Sequence, residues 1–352
     1  MNKEQTQKYL GDLFDNWFVP SLQEFVRCPN LTPMVDKEYL TNGLMDQAIE
    51  IVDKNIQKLE IQGLKREIIK KDGSPPLVVY IVESEDPIAK NVMLYGHIDK
   101  QPWFTGWREG LHPTDPVIEG DLMYGRGSSD DGYAAFSSML AVKNIQEQKQ
   151  KLPRIALCLE LEEESGSPNL VDLLQRGESV IKKPDVLLCM DSGCLDYEQL
   201  WVTSSLRGIC IVDLTVETGL AGYHSGETGG IVPETFRVIR DLLNRLDDPV
   251  TGKVCQELQV EAPEWKQKEA EKIAALKKEE LYNKYPMHEG VKAVEQENLV
   301  EMYLNNVWRP NLSITGAEGL PEIQTAGNVL RPATSVRCSM RLSPGIDAKK
   351  AN

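Results

Sequence analysis

Histidine is scarce in this chain: four occur in 352 residues, at positions 97, 112, 224 and 288, so an imidazole-based site has few candidates. Positive charge is also short. Lys and Arg total 39 against 54 Asp and Glu, and a net charge of -15 without a basic stripe excludes a nucleic-acid or acidic-membrane surface. No apolar run approaches the ~20 residues of a membrane-spanning helix. The start, Met1-Asn2-Lys3-Glu4-Gln5, is polar and enters a helical pattern, unlike a signal peptide. The seven cysteines are an odd number scattered through apolar segments (Cys158, Cys189, Cys210), as expected of reduced thiols in a cytoplasmic protein. Cys189 and Cys194 lack the CxxC spacing of a soft-metal pair. There are no internal repeats, and the only low-complexity tract is the Lys/Glu-rich stretch 262–284.

What is present is the composition of a globular protein long enough for two domains, 41% hydrophobic and 26% charged. Apolar residues at helical spacing mark helices over 3–27 and 44–60. Short β-rich runs follow at Leu77–Val82, Val92–Tyr95, Ile155–Leu161 and Val186–Met190, with a helix predicted at Tyr133–Gln146. Strands separated by helices predict an α/β sheet with functional residues at the strands' carboxyl ends. After Cys210 the texture changes: strands at Ile211–Val216, Leu312–Thr315 and Ser335–Leu342, and a helix at Pro233–Leu246. The stretch 262–284 predicts a helix too charged to join a core.

Acids recur beside turn-forming residues between 97 and 191: Gly96-His97-Ile98-Asp99, Gly127-Ser128-Ser129-Asp130-Asp131-Gly132, Glu162-Glu163-Glu164-Ser165, and Met190-Asp191-Ser192-Gly193. Acids at the tips of buried strands need a positive partner, and a divalent metal pair supplies one. If the strand before His97 continues, Asp99 shares its face and suits the carboxylate that fixes a ligand imidazole's tautomer. Taken alone, His97 also fits a satisfied core histidine, Asp130 or Asp131 a helix cap, and Asp191 a turn residue. Three consecutive glutamates closing a buried run are harder to explain that way, because without a cation they repel.

Together these segments resemble the M20 family of metallopeptidases and amidohydrolases. The resemblance rests on GHIDKQP (96–102), LMYGRGSSDDG (122–132), EEESGS (162–167) and SLRGIC (205–210), with His224-Ser225-Gly226 and Trp308-Arg309-Pro310 following in order. It runs from about residue 20 to the end and is nearest the carnosinase and cytosolic non-specific dipeptidase branch, which has a long second domain. The resemblance implies a mixed-sheet α/β/α catalytic domain (phosphorylase/hydrolase-like) over 1–210 and an α+β lid or dimerisation domain over 211–352. It implies two divalent metal ions, zinc foremost with manganese or cobalt as alternatives. His97 and Asp191 would bind one metal, Asp130 would bridge both, and Glu164 would bind the second. Glu163 would be the general base and Asp99 the residue orienting His97. His224 would donate to the oxyanion, while Asn328 and Arg341 would hold substrate. A cis bond is expected at Asp130–Asp131. The implied activity is hydrolysis of dipeptides or related small peptides by a cytoplasmic homodimer, without nucleic acid or membrane. His112 and His288 match no family ligand and are expected at the surface.

Two departures from the family stand out. Members supply a last metal-binding histidine from a C-terminal segment, and no histidine follows His288 here. The chain stops in what reads as a turn and the first turn of a helix, so both domains are expected to be incomplete, with the C-terminal part missing. Gly132 and Tyr133 stand where many members have Lys-Gly, a change expected to touch the helix entrance rather than a ligand. Alternative functions are an N-acyl amino acid deacylase (acetylornithine or succinyl-diaminopimelate type) and an inactive truncated remnant serving as a dimerisation or binding module.

Overall fold

A computed structural model describes residues 1–86 and 88–351. The chain forms two compact units, Met1–Gly193 and Cys194–Asn352. In the first, helices α1 (Lys3–Leu13) and α2 (Val19–Arg27) are joined by a π-helical turn at Phe14–Phe18, so the single helix predicted over 3–27 is continuous but locally widened and underwound. Then come α3 (Leu44–Gln57), β1 (Leu64–Ile69), β2 (Leu77–Val82) and β3 (Asn91–His97). A short hairpin, β4 (Val117–Glu119) and β5 (Leu122–Tyr124), precedes α4 (Gly132–Glu147) and β6 (Arg154–Glu160). Helices α5 (Leu170–Arg176) and α6 (Glu178–Ile181) lead to β7 (Val186–Cys189).

The sheet order is β1-β2-β6-β3-β7. Pairing is antiparallel for β1/β2 and β2/β6 and parallel for β6/β3 and β3/β7, so this is a mixed sheet. Successive residues of a strand face opposite sides. Val78, Tyr80, Leu157 and Leu159 therefore meet Phe25, Ile49 and Phe136 on one face, while Leu77, Val79, Ala156 and Cys158 meet Leu173 and Ile181 on the other. Burial on both faces explains why β2 and β6 read as unbroken apolar runs. Strand β7, predicted from a similar run, lies at the sheet edge with Val186, Leu187 and Leu188 exposed; among the described residues no strand pairs with its outer side.

The second unit contains β8 (Gly208–Glu217), β9 (Tyr223–His224), α7 (Ser225–Thr228), α8 (Thr235–Leu243), α9 (Glu264–Lys277), α10 (Glu280–Asn283) and α11 (Leu299–Val307). It ends with β10 (Asn311–Glu318), β11 (Val329–Leu330), β12 (Ala333–Leu342) and α12 (Ala348–Ala351). Strand β12 is central in an antiparallel sheet of order β10-β12-β8. It alternates buried Val336, Cys338 and Met340 with exposed Arg337 and Arg341, and α8 covers the apolar face through Ile239.

The charged stretch 262–284 departs from expectation. It breaks at Lys278, which takes a left-handed φ of 48°, and its longer part does join a core. Ala262 and Ala270 pack with Leu304 and Trp308, because small residues let α9 approach α11 closely. Two of its lysines are buried against acids, Lys266 with Glu269 (2.6 Å) and Lys277 with Asp196 (2.7 Å). Charge-rich composition hid a narrow alanine stripe. Replacing fully buried Ala270 by Asp should cost about 3 kcal/mol or more in urea unfolding, whereas exposed Glu271→Ala should stay within about 0.5 kcal/mol.

Candidate metal centre

The centre is assembled at the carboxyl ends of β3, β6 and β7, where parallel neighbours deliver their following turns to one side of the sheet. His97, the last residue of β3, is fully buried. Its Nδ1 faces Asp99 Oδ1 at 3.3 Å and the Asp99 carbonyl at 3.2 Å. Its Nε2 faces Asp130 Oδ1 at 3.0 Å, with Glu163 Oε2 and Asp191 Oδ2 each at 3.9 Å. One ring nitrogen is thus held by a carboxylate while the other points into a carboxylate cluster, the arrangement of a metal-ligating imidazole with its orienting acid.

Asp99 does more than face the ring. Its two carboxylate oxygens accept the backbone N–H groups of Glu163 and Glu164, each at 3.1 Å. One buried side chain therefore fixes both the imidazole and the turn that presents the two glutamates. The third acid of that run, Glu162, turns away: it is buried and accepts from the Asn169 backbone N–H and side-chain amide. The peptide Asp130–Asp131 is cis, as expected. Asp130 faces the cluster, while Asp131 is buried and its Oδ2 accepts from the His97 backbone N–H at 3.3 Å. Tyr133, one of the departures from the family, does bear on the ligand set: its hydroxyl donates to the Met190 carbonyl, next to Asp191.

Two groups of three residues place ligand atoms within 4.8 Å of one another: His97, Asp130 and Asp191, and His97, Glu163 and Glu164. Glu163, expected as the base, thus lies among the ligand candidates. Among the described residues no second histidine and no cysteine joins either group. His112 and His288 are exposed at the surface. The donor set suits a divalent cation. Glu164 Oε1 is buried without a hydrogen-bond donor, and mixed imidazole and carboxylate ligands match zinc, manganese or cobalt.

Electrostatics express the same need. Burial, then the Asp130 charge, pushes Glu164 up to about 7; burial, then neighbouring carboxylates, raises Glu163 and Asp191. Burial lifts Asp131 to about 8 and Glu160 to about 7. For His97 burial acts downward, but hydrogen bonds to Asp130 and Asp99 prevail and lift it to about 11. That hydrogen bond in turn holds Asp130 low. Glu160, which sequence reasoning passed over, sits at the end of β6 and accepts from the Tyr95 and Ser167 hydroxyls. An acid interrupting an otherwise apolar run was the available signal.

The other predicted residues lie in the second unit. His224 closes β9 and pairs in register with Val329 of β11, and the Ser225 N–H donates to the Asn328 carbonyl at 2.9 Å. The fold therefore brings His224 and Asn328 together. The His224 Nδ1 accepts the Gly226 N–H at 3.1 Å, which puts the ring proton on Nε2. Arg341 is on the exposed face of β12, paired with Asn311 and Ile209.

The model of peptidase family M20/M25/M40 matches residues 93–314, more than half of the chain. The chain belongs to this family. Among curated M20 relatives, the Cys-Gly metallodipeptidase DUG1 of Candida albicans is 26% identical over 353 residues, covering 95% of the chain and 70% of that protein. The Beta-Ala-His dipeptidase of Rattus norvegicus is 29% identical over 286 residues, covering 77% of the chain and 55% of that protein. The crystal structure of human carnosine dipeptidase 1 superposes with a TM-score of 0.71 at 22% identity, over 99% of the chain and 74% of that structure, which shows the shared M20 fold. Among the described residues no helix is long and apolar enough to cross a membrane.

The shifted carboxyls make a pH prediction for the metal-free protein. Carboxyls with raised folded pKa values contribute stability at low pH that is lost as pH rises through those values, about 8 for Asp131 and about 7 for Glu160. His97, also raised, acts in the same direction above its ordinary value. Lys100, lowered by burial to about 7, opposes this trend only above that pH. Asp130, held low, withdraws its contribution only at more acid pH. Calorimetry with a chelator should therefore give a lower Tm at pH 7 than at pH 5, and added zinc should raise it more at pH 7. A higher Tm at pH 7 in chelator would contradict this electrostatic account.

Proposed function

We propose that the chain hydrolyses the amide bond of dipeptides or related small peptides, using two divalent metal ions with zinc foremost. The observation that carries this is the convergence of Asp130, Glu163 and Asp191 on one nitrogen of buried His97, with Asp99 on the other. Relatives that act on Cys-Gly and Beta-Ala-His support unblocked dipeptides as substrates.

His97 and Asp191 would hold one metal, Asp130 would bridge to the other, and Glu164 would hold the second. When bound, the metals supply Lewis acidity that polarises the amide carbonyl and makes a water more acidic. Glu163 would take a proton from the water whose oxygen attacks the carbonyl carbon and pass it to the amine nitrogen as the C–N bond breaks. Its side chain is 33% exposed and so accessible to substrate, and its raised pKa suits it to both transfers. Asp99 keeps the His97 ring in one tautomer and orientation. His224 donates Nε2–H to the developing oxyanion, a role supported by its occupied Nδ1. Asn328 and Arg341 hold substrate, the guanidinium matching a carboxylate. Among the described residues the unshared ligands of the second position would be carboxylates, which would hold its ion more weakly than a position with an imidazole.

A homodimer through the second unit is supported by β8, which among the described residues pairs with a strand on one side only and exposes Ile211 and Val212. Seven free cysteines support a reducing, cytoplasmic setting.

Metal content by mass spectrometry, paired with hydrolysis of Cys-Gly, β-Ala-His and N-acetylornithine, tests the proposal. Metal-dependent cleavage of the dipeptides supports it. Cleavage of only the acyl amino acid favours a deacylase, and metal uptake without hydrolysis favours a binding module. Glu163→Gln should lower kcat by about 10²- to 10⁴-fold while metal content is retained.

A further inference from the structure

Lys100 follows the His97–Asp99 segment and is completely buried, an unusual position for an ammonium. Its Nζ donates to three main-chain carbonyls: Phe25 at 2.7 Å, Val26 at 3.3 Å and Cys28 at 2.6 Å. These are the last carbonyls of α2 and its cap, which Pro29 prevents from being used by a continuing helix. The ammonium thus sits at the negative end of the helix, also 4.2 Å from the Phe25 ring centroid.

The side-chain stem runs against the turn that carries Asp130. A Cβ at Gly127, where φ is +86°, would lie 2.7 Å from Lys100 Cε, and one at Gly132 would lie 2.4 Å from the Phe25 ring. The Lys100 carbonyl accepts the Thr32 N–H at 2.9 Å, and the Asn30 amide donates to the Ile98 carbonyl at 2.6 Å. Three pieces of chain therefore meet on this residue: the end of α2 with its following segment, the strand end bearing His97 and Asp99, and the glycine turn bearing Asp130.

We infer that Lys100 is a positioning residue for the metal centre, locking the His97 strand end and the Asp130 turn in register by capping α2. This rests on the proposed metal centre. With a neutral apolar side chain the Phe25 carbonyl keeps the Cys28 N–H at 3.0 Å, but the Val26 and Cys28 carbonyls lose this donor, and the two segments lose their common anchor.

Zinc titration of the purified chain against a chromophoric chelator, alongside thermal unfolding, tests the inference in the parent, Lys100→Met and Val52→Ala. Val52 is a buried residue of α3 and controls for general loosening. Lys100→Met should weaken zinc about 10- to 100-fold, as loss of an outer positioning group does, while Val52→Ala lowers Tm and leaves zinc affinity unchanged. Parent-like affinity in Lys100→Met overturns the inference, as does equal weakening in Val52→Ala. If Lys100→Met does not fold, Lys100→Gln is titrated instead; its two N–H donors on a shorter side chain cannot serve all three carbonyls, so weakening supports the inference and parent-like affinity overturns it. Absence of zinc uptake by the parent overturns the metal centre itself.

Discussion

The first unit is organised around a buried imidazole with acids on both sides. His97 has Asp99 against one nitrogen, and Asp130, Glu163 and Asp191 within 3.9 Å of the other. Carboxylates at that separation in a protein interior repel strongly unless a proton or cation lies among them. In the metal-free protein protons serve, as the raised pKa values of Glu163, Glu164 and Asp191 express. A divalent ion bound there would replace them with a larger positive charge. The fold and the chemistry are coupled at that exchange.

The surrounding structure serves to hold these charges together. Parallel pairing of β3 with β6 and β7 brings their carboxyl-terminal turns to one side. Asp99 couples the His97 ring to the Glu163-Glu164 turn through two backbone amides. Asp131 couples the cis turn to the His97 backbone, and Tyr133 reaches the chain beside Asp191. Each link joins residues distant in sequence, so a change at one is felt by the others. Such coupling makes the effects of neighbouring substitutions non-additive.

Much of this was legible before the fold was known. The apolar runs of β2, β3 and β6 marked buried strands because both sheet faces are covered, and the acids at their ends marked the site. The residues proposed as ligands, His97, Asp130, Glu164 and Asp191, with Asp99 and Glu163, came from the family motifs, and in the first unit the six side chains lie side by side. What stayed hidden depended on tertiary placement. Nothing local distinguishes Lys100 from a solvated lysine, since its acceptors lie some 70 residues earlier in the chain. The core role of α9 was masked because only Ala262, Ala270 and their neighbours face inward, among many charges. Strand β7 has the composition of a buried strand but an exposed edge position, which composition does not encode. Membership of peptidase family M20/M25/M40 accounts for the architecture.

Anomalous diffraction from crystals of the chain grown with zinc tests the central claim most directly. The account predicts one anomalous peak bounded by His97 Nε2, Asp130 and Asp191, and a second, weaker one toward Glu164 that shares Asp130. No peak at His97 Nε2, or zinc held instead by Cys189 or Cys194, would contradict it.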